Sequence, residues 1–67
     1  MEKIVAVYGE KPNRYRVADA RDWNFGYTVQ KEIKEGVFVD VMVSMTKHDA
    51  QYTAMRMSEM TEKDGSK

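Results

Sequence analysis

The sequence predicts a small α+β domain, an antiparallel sheet in the order β-β-β-β-α with a C-terminal amphipathic helix on one face. Residues 37–45 alternate in the manner of a strand, and they run directly into a helical pattern that begins at Thr46. Short β-branched segments separated by Gly and Pro precede them. A chain of 67 residues allows one domain. We expect that domain to span residues 1–62, with a disordered polar tail at 63–67.

The first two strands are expected to form a hairpin. Residues 3–8 are rich in β-branched side chains, and residues 9–13 contain the Gly and Pro of a turn. Residues 14–20 then alternate, with Tyr15 and Val17 on one side and two arginines on the other. This alternation predicts a strand that is half exposed.

Residues 27–35 have two interpretations. As a strand, they place Tyr27, Val29 and Ile33 on one face and pair with the next segment through a tight turn at Gly36. As a helix, they begin at an N-cap at Thr28 and end at Gly36, which gives the alternative order ββαβα. The strand is favoured, because a helix of about eight residues with two apolar anchors buries little surface.

Residues 37–45 give the clearest strand signal. One face carries five consecutive apolar residues, and we expect this face to be the core that the helix covers; its members are Val37, Val39, Val41, Val43 and Met45. The other face carries Phe38 and Met42 together with Asp40 and Ser44.

The C-terminal segment is expected to be an amphipathic helix. Thr46 can cap its first turn by accepting a hydrogen bond from the backbone N–H of Asp49, and that carboxylate can reach back as in a capping box. A stripe of small and flexible apolar residues faces the sheet; it consists of Ala50, Thr53, Ala54, Met57, Met60 and Thr61.

Composition limits the possible functions. The chain has no cysteine and one histidine, which argues against disulfides, structural zinc and other resident cofactors. Eleven basic residues balance eleven acidic ones, whereas nucleic-acid-binding domains generally carry a basic surplus. No stretch approaches the roughly 20 apolar residues that cross a bilayer. The apolar run at the start is too short for a signal peptide, so we expect a cytoplasmic protein without membrane contact.

Two sets of polar residues could suggest catalysis, and neither forms a convincing site. His48 is followed by Asp49, but adjacent side chains on a helix point in different directions. Asp19, Asp22 and Asp40 lack the spacing of a calcium loop. We interpret these residues as surface charges and expect the chain not to be an enzyme.

Interleaved basic and aromatic residues allow one alternative function, nucleic-acid binding. Arginines that track phosphates and rings that stack on bases are the usual means of gripping a single strand. The candidate residues are Arg14, Arg16, Arg21, Trp23, Phe25 and Tyr27. Acidic residues lie among them, and the rings can equally serve as core.

A protein-binding surface is the favoured interpretation. Tyr52 and Met55 lie opposite the expected buried stripe of the helix, and Phe38 and Met42 lie on the second face of the last strand. Aromatic and Met residues are enriched at protein interfaces. Since a core this small also gives little stability, we expect self-association as a homodimer. The sequence therefore predicts a non-catalytic binding module, such as an accessory or regulatory protein of the phage or plasmid type.

Overall fold

A computed structural model describes residues 3–23 and 26–65 of the chain, with the backbone alone at Trp23 and at 61–65. The order of its elements is that of the predicted ββββα domain, with one short 3₁₀ turn inserted at Arg21–Trp23. The strands are β1 (Lys3–Tyr8), β2 (Tyr15–Asp19), β3 (Tyr27–Lys34) and β4 (Val37–Ser44), and the helix is α1 (Lys47–Gly65).

The four strands form one antiparallel sheet in the spatial order β1-β2-β3-β4. The strand interpretation of residues 27–35 is therefore confirmed, and the helical alternative is wrong. A tight turn joins β3 to β4, and Gly36 adopts a φ of +83° there, in the region that favours glycine. Consecutive strands are neighbours throughout, which places β1 and β4 at the two edges of the sheet.

The hydrophobic core lies between α1 and the two central strands. Tyr15 and Val17 of β2 and Val29 of β3 are buried against Ala54 of the helix, as the alternation in these segments predicts. The small side chains of α1 let its backbone approach the sheet closely. The rest of the buried cluster and its half-buried margin consist of Tyr27, Ala50, Val5, Ala6, Tyr8 and Met57.

The expectation that the valine face of the last strand forms the core is wrong. Val37, Val39, Val41 and Val43 are between 38% and 54% exposed, and Met45, just beyond the strand, is 85% exposed. The helix packs mainly across β2 and β3, so β4 lies at the edge with little of the helix above it. Its apolar side chains are therefore covered by neither layer.

The buried stripe of α1 also differs in part from the prediction. Ala50 and Ala54 are fully buried, but Met60 is 64% exposed and Ser58 is buried instead. A Cβ placed on Gly9 would lie 2.7 Å from Ser58 Oγ, so the helix is seated close to the end of β1. Thr53 and Met57 are half-buried, and the side chain of Thr61 lies outside the described residues.

The predicted cap at the start of α1 is present. The backbone N–H of Asp49 donates to Thr46 Oγ1 over 3.2 Å, and the N–H of Ala50 donates to the Thr46 carbonyl over 3.1 Å. The first bond satisfies an amide donor that has no partner inside the helix, and the second is the first regular hydrogen bond of the helix. At the other end α1 continues to Gly65, beyond the expected domain limit at 62, and residues 66 and 67 lie outside the described part of the chain.

Candidate functional site

Among the strands and the helix, the edge strand β4 presents the most exposed apolar surface. Five of its eight residues, Val37, Val39, Val41, Met42 and Val43, are large apolar side chains that are each 38–54% exposed. In the described part of the chain β4 pairs only with β3, so its outer side presents backbone groups that no other strand uses. Edge strands of stable monomers are usually protected by Lys, Pro, a short length or a β-bulge; β4 contains neither Lys nor Pro and runs for eight positions, with one bulge at Val41.

A β-bulge divides β4 into two parts with opposite alternation. Met42 pairs with Val29 and Asp40 pairs with Gln30, so Val41 is the extra residue. Val29 lies on the side of the sheet that α1 covers, which we call the helix face, whereas Gln30 lies on the other side, the open face. The bulge therefore places Val39, which precedes it, and Met42, which follows it, on the same side of the sheet, the helix face.

The open face is polar, and its side chains are hydrogen-bonded to one another rather than simply solvated. Arg14 donates from Nε to Glu32 Oε1 and from Nη2 to Glu32 Oε2, each over 2.9 Å. The carboxylate also accepts the backbone N–H groups of Arg14 at 3.0 Å and Gly36 at 2.8 Å. Glu32 is only 1% exposed, and the hydrogen bonds from Arg14 lower the pKa of its carboxyl to about 2.

A second polar chain crosses the same face toward β4. Arg16 Nε donates to Gln30 Oε1 over 2.6 Å, and Gln30 Nε2 donates to Asp40 Oδ1 over 2.8 Å. The guanidinium of Arg16 lies 3.8 Å from the centroid of the Phe38 ring, and that of Arg14 lies 5.3 Å from it. These contacts hold Phe38 and Asp40 on the open face. Asp40 is the single charged residue of β4.

The four residues predicted as a partner interface do not form one surface. Phe38 lies on the open face beneath the arginines, whereas Met42 is across the bulge on the helix face. Tyr52 and Met55 lie on the helix, where with Tyr8 and two further residues, His48 and Gln51, they line a shallow hollow of about 200 Å³. The hollow is on the β1 side of the molecule, away from the exposed valines of β4.

The residues predicted to bind nucleic acid are largely engaged within the protein. Arg21 forms a bidentate ion pair with Asp19, in which its Nη2 lies 2.8 Å from Asp19 Oδ2, and the pKa of that carboxyl falls to about 2 because of these hydrogen bonds. Arg14 is paired with Glu32, and the ring of Tyr27 is buried in the core. The side chain of Trp23 and the whole of Phe25 lie outside what the structure describes.

The acidic residues do not converge on one site. Asp19 pairs in register with Lys3 and Tyr27, whereas Asp40 lies two strands away opposite Gln30. Within the ranges that the structure describes, no three His, Asp or Glu side chains are grouped closely enough to hold a metal ion. His48 is in the first turn of α1 at the rim of the hollow.

Sequence reasoning missed two features of this surface. It assigned the valines of β4 to the core, because a run of apolar residues on one side of a strand indicates burial only when that side meets another layer. It also gave no role to Glu32, although this carboxylate accepts four hydrogen bonds on the open face. The only available signal was the position of Glu32 opposite the start of β2, and recognising it requires the register in which β2 pairs with β3.

No family model, curated protein or solved structure matches this chain. The one helix of the described region is not both long and apolar enough to cross a membrane.

Proposed function

We propose that this chain is a non-catalytic protein-binding module, and that its binding surface is edge strand β4. The single observation that supports this is the row of exposed apolar side chains along an eight-residue edge that contains neither Lys nor Pro. A strand from a partner can add to such an edge, because backbone hydrogen bonds supply affinity and the alternating side chains supply selectivity. A cytoplasmic location is part of this proposal, since a chain without cysteine suits a reducing compartment.

Nucleic-acid binding has less support. The cations that would track phosphates are already bonded to acids or amides, as in the pairs Arg14–Glu32 and Arg21–Asp19. Breaking such a pair to free an arginine opposes binding, and the chain has no basic surplus to offset it. If this alternative were correct, the chain would bind single or double strands at low salt and release them as salt rises.

Two matched substitutions test the role of β4. Val39→Glu places a carboxylate on the β4 edge opposite Lys31, and Val7→Glu places one on the β1 edge opposite Arg16. Each new acid gains a neighbour of opposite charge across the sheet, so both variants are expected to fold. Any difference between them therefore reports on the edge rather than on stability.

The measurement is affinity capture from extracts of the native host, followed by mass spectrometry. We expect wild type and Val7→Glu to retain the same partner proteins, which include untagged copies of the chain itself, and Val39→Glu to lose them. Partners that survive Val39→Glu unchanged, or a wild type that retains none, would contradict the proposal. Circular dichroism of both variants provides the folding control.

A further inference from the structure

We propose that the strand that adds to β4 is β4 of a second copy of this chain, antiparallel to the first and related to it by a two-fold axis between Asp40 and Val41. This inference rests on the binding surface proposed above. The product is a continuous eight-stranded sheet. Since the axis is perpendicular to the sheet, both copies of α1 lie on the same face of it.

The size of the core gives the first argument for a second copy. Among the residues whose side chains the structure describes, the buried cluster holds six, of which two are alanines, and a domain of 67 residues generally gains little stability from its core alone. Pairing two β4 strands sets the five exposed large apolar side chains of one copy beside those of the other, which reduces their contact with water.

The charges on β4 give the second argument. The only charged residue of the strand is Asp40, and its carboxylate accepts a hydrogen bond from Gln30 on the open face. A strongly basic or acidic partner would find no complementary charge along this edge. A second copy needs none, and the formal net charge of zero means that two chains approach without overall repulsion.

The bulge at Val41 gives the third argument, because residues on its two sides share a face only when the axis falls between residues, as it does between Asp40 and Val41. Side chains opposite each other in an antiparallel pair lie on the same face of the sheet. An axis between Asp40 and Val41 sets Val39 opposite Met42 of the second copy, both on the helix face. It also sets Phe38 opposite Val43 of the second copy, both on the open face.

The two neighbouring registers are excluded by the same geometry. An axis through Asp40 places this carboxylate against its own copy, and like charges directly opposite each other destabilise a sheet. It also opposes Phe38 to Met42, which lie on different faces. An axis through Val41 opposes Val39 to Val43, which again lie on different faces. Among the registers centred on Asp40, on Val41 and between these two residues, only the last opposes side chains that lie on the same face.

Single introduced cysteines test this register, since the chain has none of its own. Chains with Val39→Cys and with Met42→Cys are mixed in equal amounts and oxidised. Opposite Cβ atoms are about 4.5–5.5 Å apart, close to disulfide reach, whereas three positions along a strand add roughly 10 Å. We expect the mixed dimer to exceed by several-fold the sum of the two like dimers. A mixed dimer at or below half of the cross-linked product would overturn the register.

Sedimentation equilibrium tests the second copy itself and keeps the two proposals apart. We expect wild type and Val7→Glu to be dimers, and Val39→Glu to be a folded monomer whose dissociation constant is raised at least tenfold. A wild type that stays monomeric at millimolar concentration overturns self-pairing. If such a monomer still loses host partners through Val39→Glu, the proposed function is supported with a different occupant. If no partner depends on Val39, both proposals fail.

Discussion

At the scale of single residues, the Arg14–Glu32 pair dominates the open face. The carboxylate is almost fully buried and accepts four N–H donors, two of them from one guanidinium. A buried ion pair contributes little net stability compared with apolar residues, but removing one partner leaves an uncompensated charge. Both the pairing of β2 with β3 and the β3–β4 turn therefore depend on this ion pair.

Arg14→Ala is expected to destabilise the fold strongly. The substitution leaves the carboxylate of Glu32 buried with only backbone donors, so we expect the melting temperature to fall by more than about 10 °C. Thermal unfolding followed by circular dichroism measures it. Arg56→Ala is the control, because this residue forms an exposed pair with Glu59 at 3.9 Å and its loss should be close to neutral. Equal effects of the two substitutions would contradict the assignment.

Stability is expected to depend on Glu32 as the pH falls. Its pKa lies near 2 in the folded protein, against an ordinary value of 4.5. The fold is therefore more stable when this carboxyl is deprotonated than when it is protonated. The contribution is complete above about pH 5 and is lost as pH falls from about 4.5 toward 2. Asp19, held by Arg21, behaves in the same way from its ordinary value of 3.8.

Urea unfolding at a series of pH values measures this dependence. We expect Glu32→Gln to be less stable than wild type at pH 7 and to lose less stability between pH 5 and pH 2. Glu59→Gln, which removes an exposed carboxylate of the helix, should keep the wild-type slope. A Glu32→Gln profile parallel to that of wild type would show that this carboxylate is not the group that titrates.

At the scale of elements, central and edge strands with similar sequences have different roles. Val29 on β3 and Val41 on β4 are both valines within alternating apolar segments, yet Val29 is fully buried and Val41 is 42% exposed. Strand order and the bulge at Val41 together produce this difference. The most hydrophobic segment of the chain is therefore an exposed edge rather than part of the core.

A pair of aspartate substitutions is expected to separate the two roles. Val29→Asp buries an unpaired charge beneath α1 and should unfold the domain, a cost of more than about 4 kcal/mol. Val41→Asp lies at the exposed bulge and should leave a folded chain with impaired self-association. Circular dichroism and sedimentation velocity measure the two effects. Unfolding by Val41→Asp at low protein concentration would restore the valine face of β4 to the core.

The sequence predicted those elements whose signals are local. Tyr15 and Val17 mark the buried side of β2 through alternation, and Thr46 marks the helix start through its hydroxyl; Gly36 in the same way marks the turn. Strand order is a long-range property, so the exposure of β4 could not be predicted. The candidate site failed for a related reason. Phe38 and Met42 share a face in a regular strand, and the bulge at Val41 separates them.

At the scale of the whole molecule, the chain combines a thin core with two apolar edges. Its formal charges balance, and the Arg14–Glu32 ion pair lies on the open face, so the β4 edge is an apolar surface that can still contribute to stability. Folding and association are then linked. A chain that buries more apolar surface between copies is more stable when copies are abundant.

The stability of the wild type is therefore expected to rise with its own concentration. When free partner reaches about 100 times the dissociation constant, binding adds about 2.7 kcal/mol, which corresponds to roughly 10–20 °C in a domain of this size. Calorimetric scans over a hundredfold range of protein concentration measure the shift. Val39→Glu should melt at one temperature throughout, because its charge opposes Met42 of a second copy. A wild type whose melting temperature is equally constant would mean that the β4 edge adds nothing to stability through self-pairing.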